Sequence, residues 1–293
     1  MSHICKRHSG LYHKSKYVIF NVTLLLLTLC IIQTSSSIAI ELYSPNNFCK
    51  ICMDVKSNIE NPTMVVYPVY NGNGMAILAC PGGGYNFLAM NQEGHDFASW
   101  FEEKGVAFAV LNYRMPNGRA DIPLQDIQQA IKIMRKNASS WGFLPNKIGV
   151  IGFSAGGHLA STLATHFEKD TRPDFQILFY PVISMNDSVT HHSSRVNLLG
   201  EQPSHYLVDL YSNELHVSQR TPPAFIVFSS DDSIVNPSNS IKYNEALVSK
   251  KVPSKMLIFP TGGHGWGFSD KFKYKRQWMS ELNSWLEEIN RNL

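Results

Sequence analysis

Ser154 is the residue best placed for chemistry, at the centre of Gly152-Phe153-Ser154-Ala155-Gly156. The pentapeptide follows an apolar run over 147–153 and opens a helical stretch through Gly157, His158, Leu159 and Ala160. A strand-to-helix turn this tight forces the serine into a strained backbone conformation, and flanking glycines keep neighbouring side chains from colliding. The hydroxyl is then exposed beside a helix N-terminus, which favours developing negative charge. That suits nucleophilic attack on a carbonyl; a plain structural turn is the competing reading.

A serine hydroxyl is a weak nucleophile near neutrality and needs a base within hydrogen-bond reach. His264 is the candidate, in Thr261-Gly262-Gly263-His264-Gly265-Trp266-Gly267, where glycines permit a bent, closely approaching backbone. His158 sits on the serine's own helix and cannot easily curl back, and His191 and His192 fall in an insertion. The base in turn needs an acid to hold its tautomer and stabilise the imidazolium. Asp231 and Asp232 are both available, but two neighbours cannot both point at one ring. Asp232 is preferred, because it begins an Asp-x-x-Val-x-Pro stretch, the usual setting of such an acid. A tetrahedral intermediate also needs N–H donors for its oxyanion. Gly83 and Gly84, in Pro81-Gly82-Gly83-Gly84-Tyr85, supply them together with Ala155. No Lys-Ser/Thr follows the glycines, which disfavours a nucleotide phosphate loop.

These residues need a scaffold that presents strand ends. Short apolar runs at 75–80, 106–113, 147–153, 175–180, 224–229 and 255–260 read as strands. Helical spacing separates them. Ile127, Ala130, Ile131, Met134 and Ala138 share one face, as do Phe97, Trp100 and Phe101, and Trp278, Leu282, Trp285, Leu286 and Ile289. Pro237 suits the first turn of another helix. Alternating strands and helices imply a mostly parallel, doubly wound α/β sheet covered on both faces. Residues 182–222 are polar, rich in His and Ser, and break the rhythm, so a small lid-like insertion rather than core is expected there.

The 293 residues divide into three parts: 1–39 as a signal peptide or N-terminal anchor, 40–62 as an irregular segment, and 63–293 as the catalytic domain. Basic residues Lys6, Arg7, Lys14 and Lys16 precede an apolar stretch over 17–32, and Ser37-Ile38-Ala39 offers small residues where a signal peptidase looks. The stretch is short for a bilayer span of ~20 residues. Export with cleavage after Ala39, to the periplasm or beyond, is therefore expected, with an uncleaved membrane anchor as the alternative. Net charge is +3, with part of the excess in the leader, and no Lys/Arg run is interleaved with aromatics. Nucleic acid is not an expected partner. Five cysteines do not make a disulfide framework for a chain this long. Cys49 and Cys52 form a lone CxxC, without the further ligands a structural zinc needs, so no metal site is assigned.

Taken together, CPGGGY, EGHDFASWF, NYRMP, GFSAGGHLAS, RPDFQILFYP, SSDDSIVNP and TGGHGWGF resemble the bacterial α/β-hydrolases grouped with acetyl xylan and feruloyl esterases, the BD-FAE-like family. The match runs from about Thr63 to the C-terminus. The resemblance implies an α/β-hydrolase fold, whose chain order Ser…Asp…His is met here. It implies Ser154 as nucleophile, Asp232 as acid, His264 as base, and Gly83, Gly84 and Ala155 as oxyanion donors. It further implies deacylation of small esters or acylated carbohydrates without a cofactor. One departure is Pro81, where the better-known lipase-type loop has a histidine before its glycines. A serine peptidase of the prolyl-oligopeptidase type shares fold and triad order but usually adds a propeller domain. A non-catalytic binding protein on the same scaffold is a third reading. Tyr206, Tyr211 and His191 are candidate substrate contacts in the insertion. Glu93 and His95 are candidate anchors of the glycine loop, and Arg114 would pair with a carboxylate.

Overall fold

The computed structural model describes residues 39–43, 48–53 and 61–293, the first two strands by their backbone only. Apart from the backbone of Ala39, the expected leader lies outside the described residues, and so do the side chains of Cys49 and Cys52.

Six strands run parallel: β4 (Ala76–Cys80), β5 (Ala107–Asn112), β6 (Ile148–Phe153), β7 (Gln176–Phe179), β8 (Ala224–Ser229) and β9 (Ser254–Phe259). Each apolar run read as a strand is one, to within a residue at either end. β4, β6, β7 and β8 are buried along their whole length, as expected of strands covered on both faces, whereas β9 at the edge is half-exposed.

Three antiparallel strands, β1 (Ala39–Tyr43), β2 (Phe48–Cys52) and β3 (Thr63–Tyr67), extend the sheet, giving the order β1-β2-β3-β5-β4-β6-β7-β8-β9. Residues 40–62, expected to be irregular, thus supply two strands. The outer edge of β5 presents unpaired N–H and C=O groups, which β3 takes up and β2 and β1 continue. In β3 only Met64 and Val66 are buried, an alternation too short to stand out between Pro62 and Pro68.

Helices α1 (Ala98–Glu103), α2 (Asp121–Asn137) and α3 (Ala155–Thr165) connect the first parallel strands. The stripes read from spacing are the buried faces: Ile127, Ala130, Ile131 and Met134 in α2, and Trp278, Leu282, Trp285, Leu286 and Ile289 in the last helix. Burying each Ile, Leu or Met among them favours folding by about 1.5–3 kcal/mol. That last helix, Lys275–Asn292, ends beside the N-terminal end of β6. There Lys147 Nζ donates to the Asn290 carbonyl and to its Oδ1, both at 2.8 Å.

The 182–222 segment contains α4 (His192–Leu199), α5 (His205–Leu210) and a short turn of helix, Asn213–His216. The expectation of a lid outside the core needs correction, because Val182, Ile183, Met185 and Leu198 are fully buried. Its polar residues are satisfying backbone that runs through the interior. Ser212 Oγ accepts the N–H of Met185 at 3.0 Å, and from the helix after β8 Asn239 Oδ1 accepts those of Ile183 and Ser184 at 2.9 and 3.0 Å. Helix α6 (Ser238–Ser249) follows β8, and Lys275–Asn292 becomes α7. From β4 the chain crosses first to β5 on one side and then to β6 on the other. The crevice outside such strand ends is where open α/β sheets bind ligands.

Candidate active site

Ser154 joins β6 to α3 with φ 52° and ψ −121°, a left-handed setting that a residue with a Cβ seldom adopts. Backbone bonds hold it there: its N–H donates to the Phe179 carbonyl at 3.0 Å, and its carbonyl accepts the N–H groups of Val182 at 3.0 Å and His158 at 3.2 Å. The flanking glycines are required by contact. A Cβ on Gly152 would lie 2.3 Å from the Gly156 oxygen, and one on Gly156 would lie 2.0 Å from the Cys80 oxygen. Close packing of α3 on the sheet is what lifts the hydroxyl over the strand ends.

His264 reaches that hydroxyl from the loop after β9. Its Nε2 is 2.8 Å from Ser154 Oγ, and its Nδ1 is 2.7 Å from Asp232 Oδ2. A carboxylate only accepts, so Nδ1 carries the proton and Nε2 presents its lone pair to the serine. Asp232, buried at the end of β8, also takes the N–H groups of Ile234 and Val235 on Oδ1, each at 2.9 Å. Asp231 turns the other way. Its two oxygens accept the N–H groups of Gly263 at 2.8 Å and Gly262 at 3.1 Å. Those bonds, Gly263 first, hold its carboxyl below the usual carboxylate range. The neighbouring acids therefore divide the work: Asp232 meets the ring and Asp231 shapes the loop that carries it.

Gly83 and Gly84, after β4, have φ values of 131° and 65°. A Cβ on Gly83 would fall 2.1 Å from the Phe87 oxygen. Among the described residues, none accepts from the N–H groups of Gly83, Gly84 or Ala155. Gly83, Gly84, Ser154 and His264 line a cleft of about 790 Å³. Helix α4 forms the facing wall through His191, Asn197 and Val196. Asn197 Nδ2 donates to the Gly84 carbonyl at 2.8 Å, which ties wall to glycine loop. His191 Nδ1 lies 2.8 Å from Ser194 Oγ. Burial, and then the nearby His264, hold His191 below the ordinary histidine value, so it faces the cleft uncharged at neutral pH. A carbonyl above Ser154, with its oxygen toward the free N–H groups, would be set for acyl transfer.

The remaining candidates separate cleanly. Glu93 does anchor the glycine loop, its Oε2 accepting the Gly82 N–H at 2.8 Å. His95 does not; its Nδ1 is 2.8 Å from the Tyr67 hydroxyl. Arg114 pairs with Asp126 through Nε and Nη2, the shortest contact 2.6 Å, and does not line the cleft. Tyr206 is exposed and Tyr211 is buried beyond the cleft, so of the three insertion candidates only His191 reaches it. Sequence reasoning missed Tyr113, whose hydroxyl donates to the Pro81 carbonyl at 2.7 Å. It also missed His158, which lies 2.9 Å from the Tyr85 hydroxyl and 2.8 Å from the Tyr211 carbonyl. These bonds support the glycine loop from below, where Pro81 replaces a histidine.

Known proteins similar to this chain include esterases and a protein named for xylanase activity. An acetylxylan esterase of Xylanibacter ruminicola is 41% identical over 230 residues, 77% of this chain and 48% of that protein. A protein of Butyrivibrio fibrisolvens named endo-1,4-beta-xylanase B is 38% identical over 64% of this chain and 32% of its own length. The chain thus spans about half of the first relative and about a third of the second. Among solved structures, an acetyl ester-xyloside bifunctional hydrolase from Caldicellulosiruptor lactoaceticus superposes with a TM-score of 0.75 at 37% identity, over 78% of this chain and 88% of that one. The BD-FAE family model matches residues 67–247, a span that holds the glycine loop, the nucleophile turn and Asp232. With the α/β-hydrolase sheet and the Ser154–His264–Asp232 geometry already in place, that match assigns the chain to the BD-FAE family.

Proposed function

We propose that this chain is a serine carboxylic ester hydrolase that removes short acyl groups, acetyl foremost, from xylan-type carbohydrates. The observation that carries the reading is the unbroken hydrogen-bond chain Ser154–His264–Asp232 on the floor of an open cleft. Ser154 Oγ attacks the ester carbonyl while His264 Nε2 takes its proton. The oxygen that becomes negative is met by the N–H groups of Gly83, Gly84 and Ala155. Asp232 stays ionised and stabilises the imidazolium. Collapse of the intermediate expels the sugar hydroxyl, protonated by His264, and leaves Ser154 acylated. Water, deprotonated by His264, then releases the carboxylic acid by the same path in reverse.

The relatives named acetylxylan esterase and acetyl ester-xyloside hydrolase support the substrate class. So does the cleft mouth, where the exposed apolar Phe87 and Ile234 stand among the polar His192, Asn197 and Glu201. Sugars present that mixture of apolar faces and hydroxyl edges. The test is acetate release from acetylated xylan, with Ser154→Ala in parallel. Release by the parent alone supports the reading. If the parent releases nothing yet cleaves a simple aryl acetate through Ser154, the carbohydrate part is wrong. Export directed by residues 1–39 belongs to the same proposal, because xylan is an external polymer. Edman sequencing of protein recovered from a producing cell should begin at Ile40, and an N-terminus still at Met1 would refute cleavage.

A further inference from the structure

Glu93 is a buried carboxylic acid that the proposed reaction does not use. It lies in the loop before α1, and both its oxygens are committed. Oε2 accepts the Gly82 N–H at 2.8 Å, and Oε1 accepts the Tyr180 hydroxyl at 2.8 Å. The Tyr180 oxygen in turn accepts the N–H of Gly267 at 2.8 Å. Gly82 immediately precedes the oxyanion glycines, and Gly267 ends the loop that carries His264. The adjoining Gln92 reinforces the link. Its carbonyl accepts the Phe268 N–H at 2.9 Å, and its side-chain amide donates to the Gly265 carbonyl. The fit is close enough that a Cβ on Gly267 would lie 2.3 Å from the Gln92 oxygen. Tyr180 also packs edge-on against the His264 ring, with centroids 4.7 Å apart.

We propose that Glu93 is a positioning residue, acting as a brace whose ionised carboxylate locks the oxyanion loop and the histidine loop at one spacing over Ser154. The proposal rests on the serine-esterase reading above and deepens it. Three facts favour the ionised form as the working one. Every group facing the carboxylate donates to it, as an acceptor-only carboxylate requires. Burial and the adjacent acid keep the Tyr180 hydroxyl protonated, hence a donor. Finally, a negative charge there attracts the imidazolium that His264 becomes during attack, adding to Asp232. Burial works against ionisation and lifts the Glu93 carboxyl above the ordinary range; the Tyr180 and Gly82 bonds, and then His264, pull it back.

Other charged or titratable groups near these two side chains are few. Around His264 stand Asp232 from the loop after β8, Tyr180 from the end of β7 and His191 from the start of α4. Asp231 faces that loop's backbone. Around Glu93 stand Tyr180 and, from the end of β5, Tyr113.

The test compares the parent, Ser154→Ala, Glu93→Gln and Tyr180→Phe on an aryl acetate, with pH profiles of kcat/KM and melting temperatures. Glu93→Gln keeps an amide of the same shape but no charge. Its kcat should fall about tenfold or more, with KM within about twofold and no loss of melting temperature, the signature of an interaction made chiefly in the transition state. Its acid limb should move to lower pH, because both the acid that must ionise and the charge that attracts the imidazolium are gone. Tyr180→Phe removes a donor to the carboxylate, so Glu93 ionises later and the limb should move to higher pH. Opposed shifts are the expected result. A Glu93→Gln enzyme within twofold of the parent, or two variants that lose activity with unmoved limbs, would overturn the brace while leaving the triad standing. A parent without Ser154-dependent turnover would take down the esterase reading, and the brace with it.

Discussion

Asp232→Asn should lower kcat by about 10³–10⁴-fold on an aryl acetate at neutral pH, because the amide turns the histidine into the wrong tautomer. Asp231→Asn should cost far less, since one amide oxygen still accepts from Gly262 or Gly263. Steady-state rates of the two variants decide between the neighbours; equal losses would refute the division of roles. His158 supplies a different residue-scale test. It is fully buried, and burial lowers its pKa from 6.5 to about 4. Above 6.5 neither the folded nor the unfolded chain holds the extra proton. As pH falls toward 4, the unfolded chain takes up a proton that the folded one refuses, so stability is lost across that window, by about 3 kcal/mol in full. Urea unfolding at pH 7.5 and pH 5 should show the loss, and His158→Gln should flatten the slope. An equal slope in the variant would assign the loss to other groups.

At the scale of elements, the turn between β6 and α3 tolerates no added atom. Gly156→Ala places a methyl 2.0 Å from the Cys80 oxygen, on backbone that cannot yield. Overpacking of this kind costs about 3 kcal/mol, so the variant should melt well below the parent or fail to accumulate in soluble form. A parent-like melting temperature would show that α3 can shift off the sheet. This element was the most legible from residues alone, because a strand, a strained serine and a helix leave a local pattern of glycines. The same holds for the six parallel strands, buried on both faces and so written as apolar runs. Strands β1 to β3 were not legible, since five-residue stretches paired through their backbone leave no comparable signature in side-chain type. The 182–222 segment misled for the opposite reason. Its polar residues looked like solvated loop, whereas Ser212 Oγ accepts the buried Met185 N–H and Asn213 Nδ2 donates to the buried His158 carbonyl. Glu93 and Tyr180 are 87 residues apart, and nothing in their spacing announces that one donates a hydrogen bond to the other.

Across the whole molecule, the glycine loop, Ser154, Asp232 and His264 issue from the C-terminal ends of β4, β6, β8 and β9. No group of the proposed machinery comes from the antiparallel β1–β3 extension, which instead shields the open edge of β5. A protein starting at residue 61 should therefore retain its triad and label with a fluorophosphonate, yet aggregate more readily, because β3 would become a bare edge strand. Light scattering alongside labelling would test this, and loss of labelling in soluble protein would show that the extension also shapes the cleft. The bond from Lys147 to Asn290 fixes the far end of α7 at the opposite pole of the sheet from the cleft. That makes Leu293 a natural handle. Anchored there to a bead, a surface or another folded unit, the protein would hold its cleft outward, where the polymer proposed as its substrate, too large to turn around, would meet it.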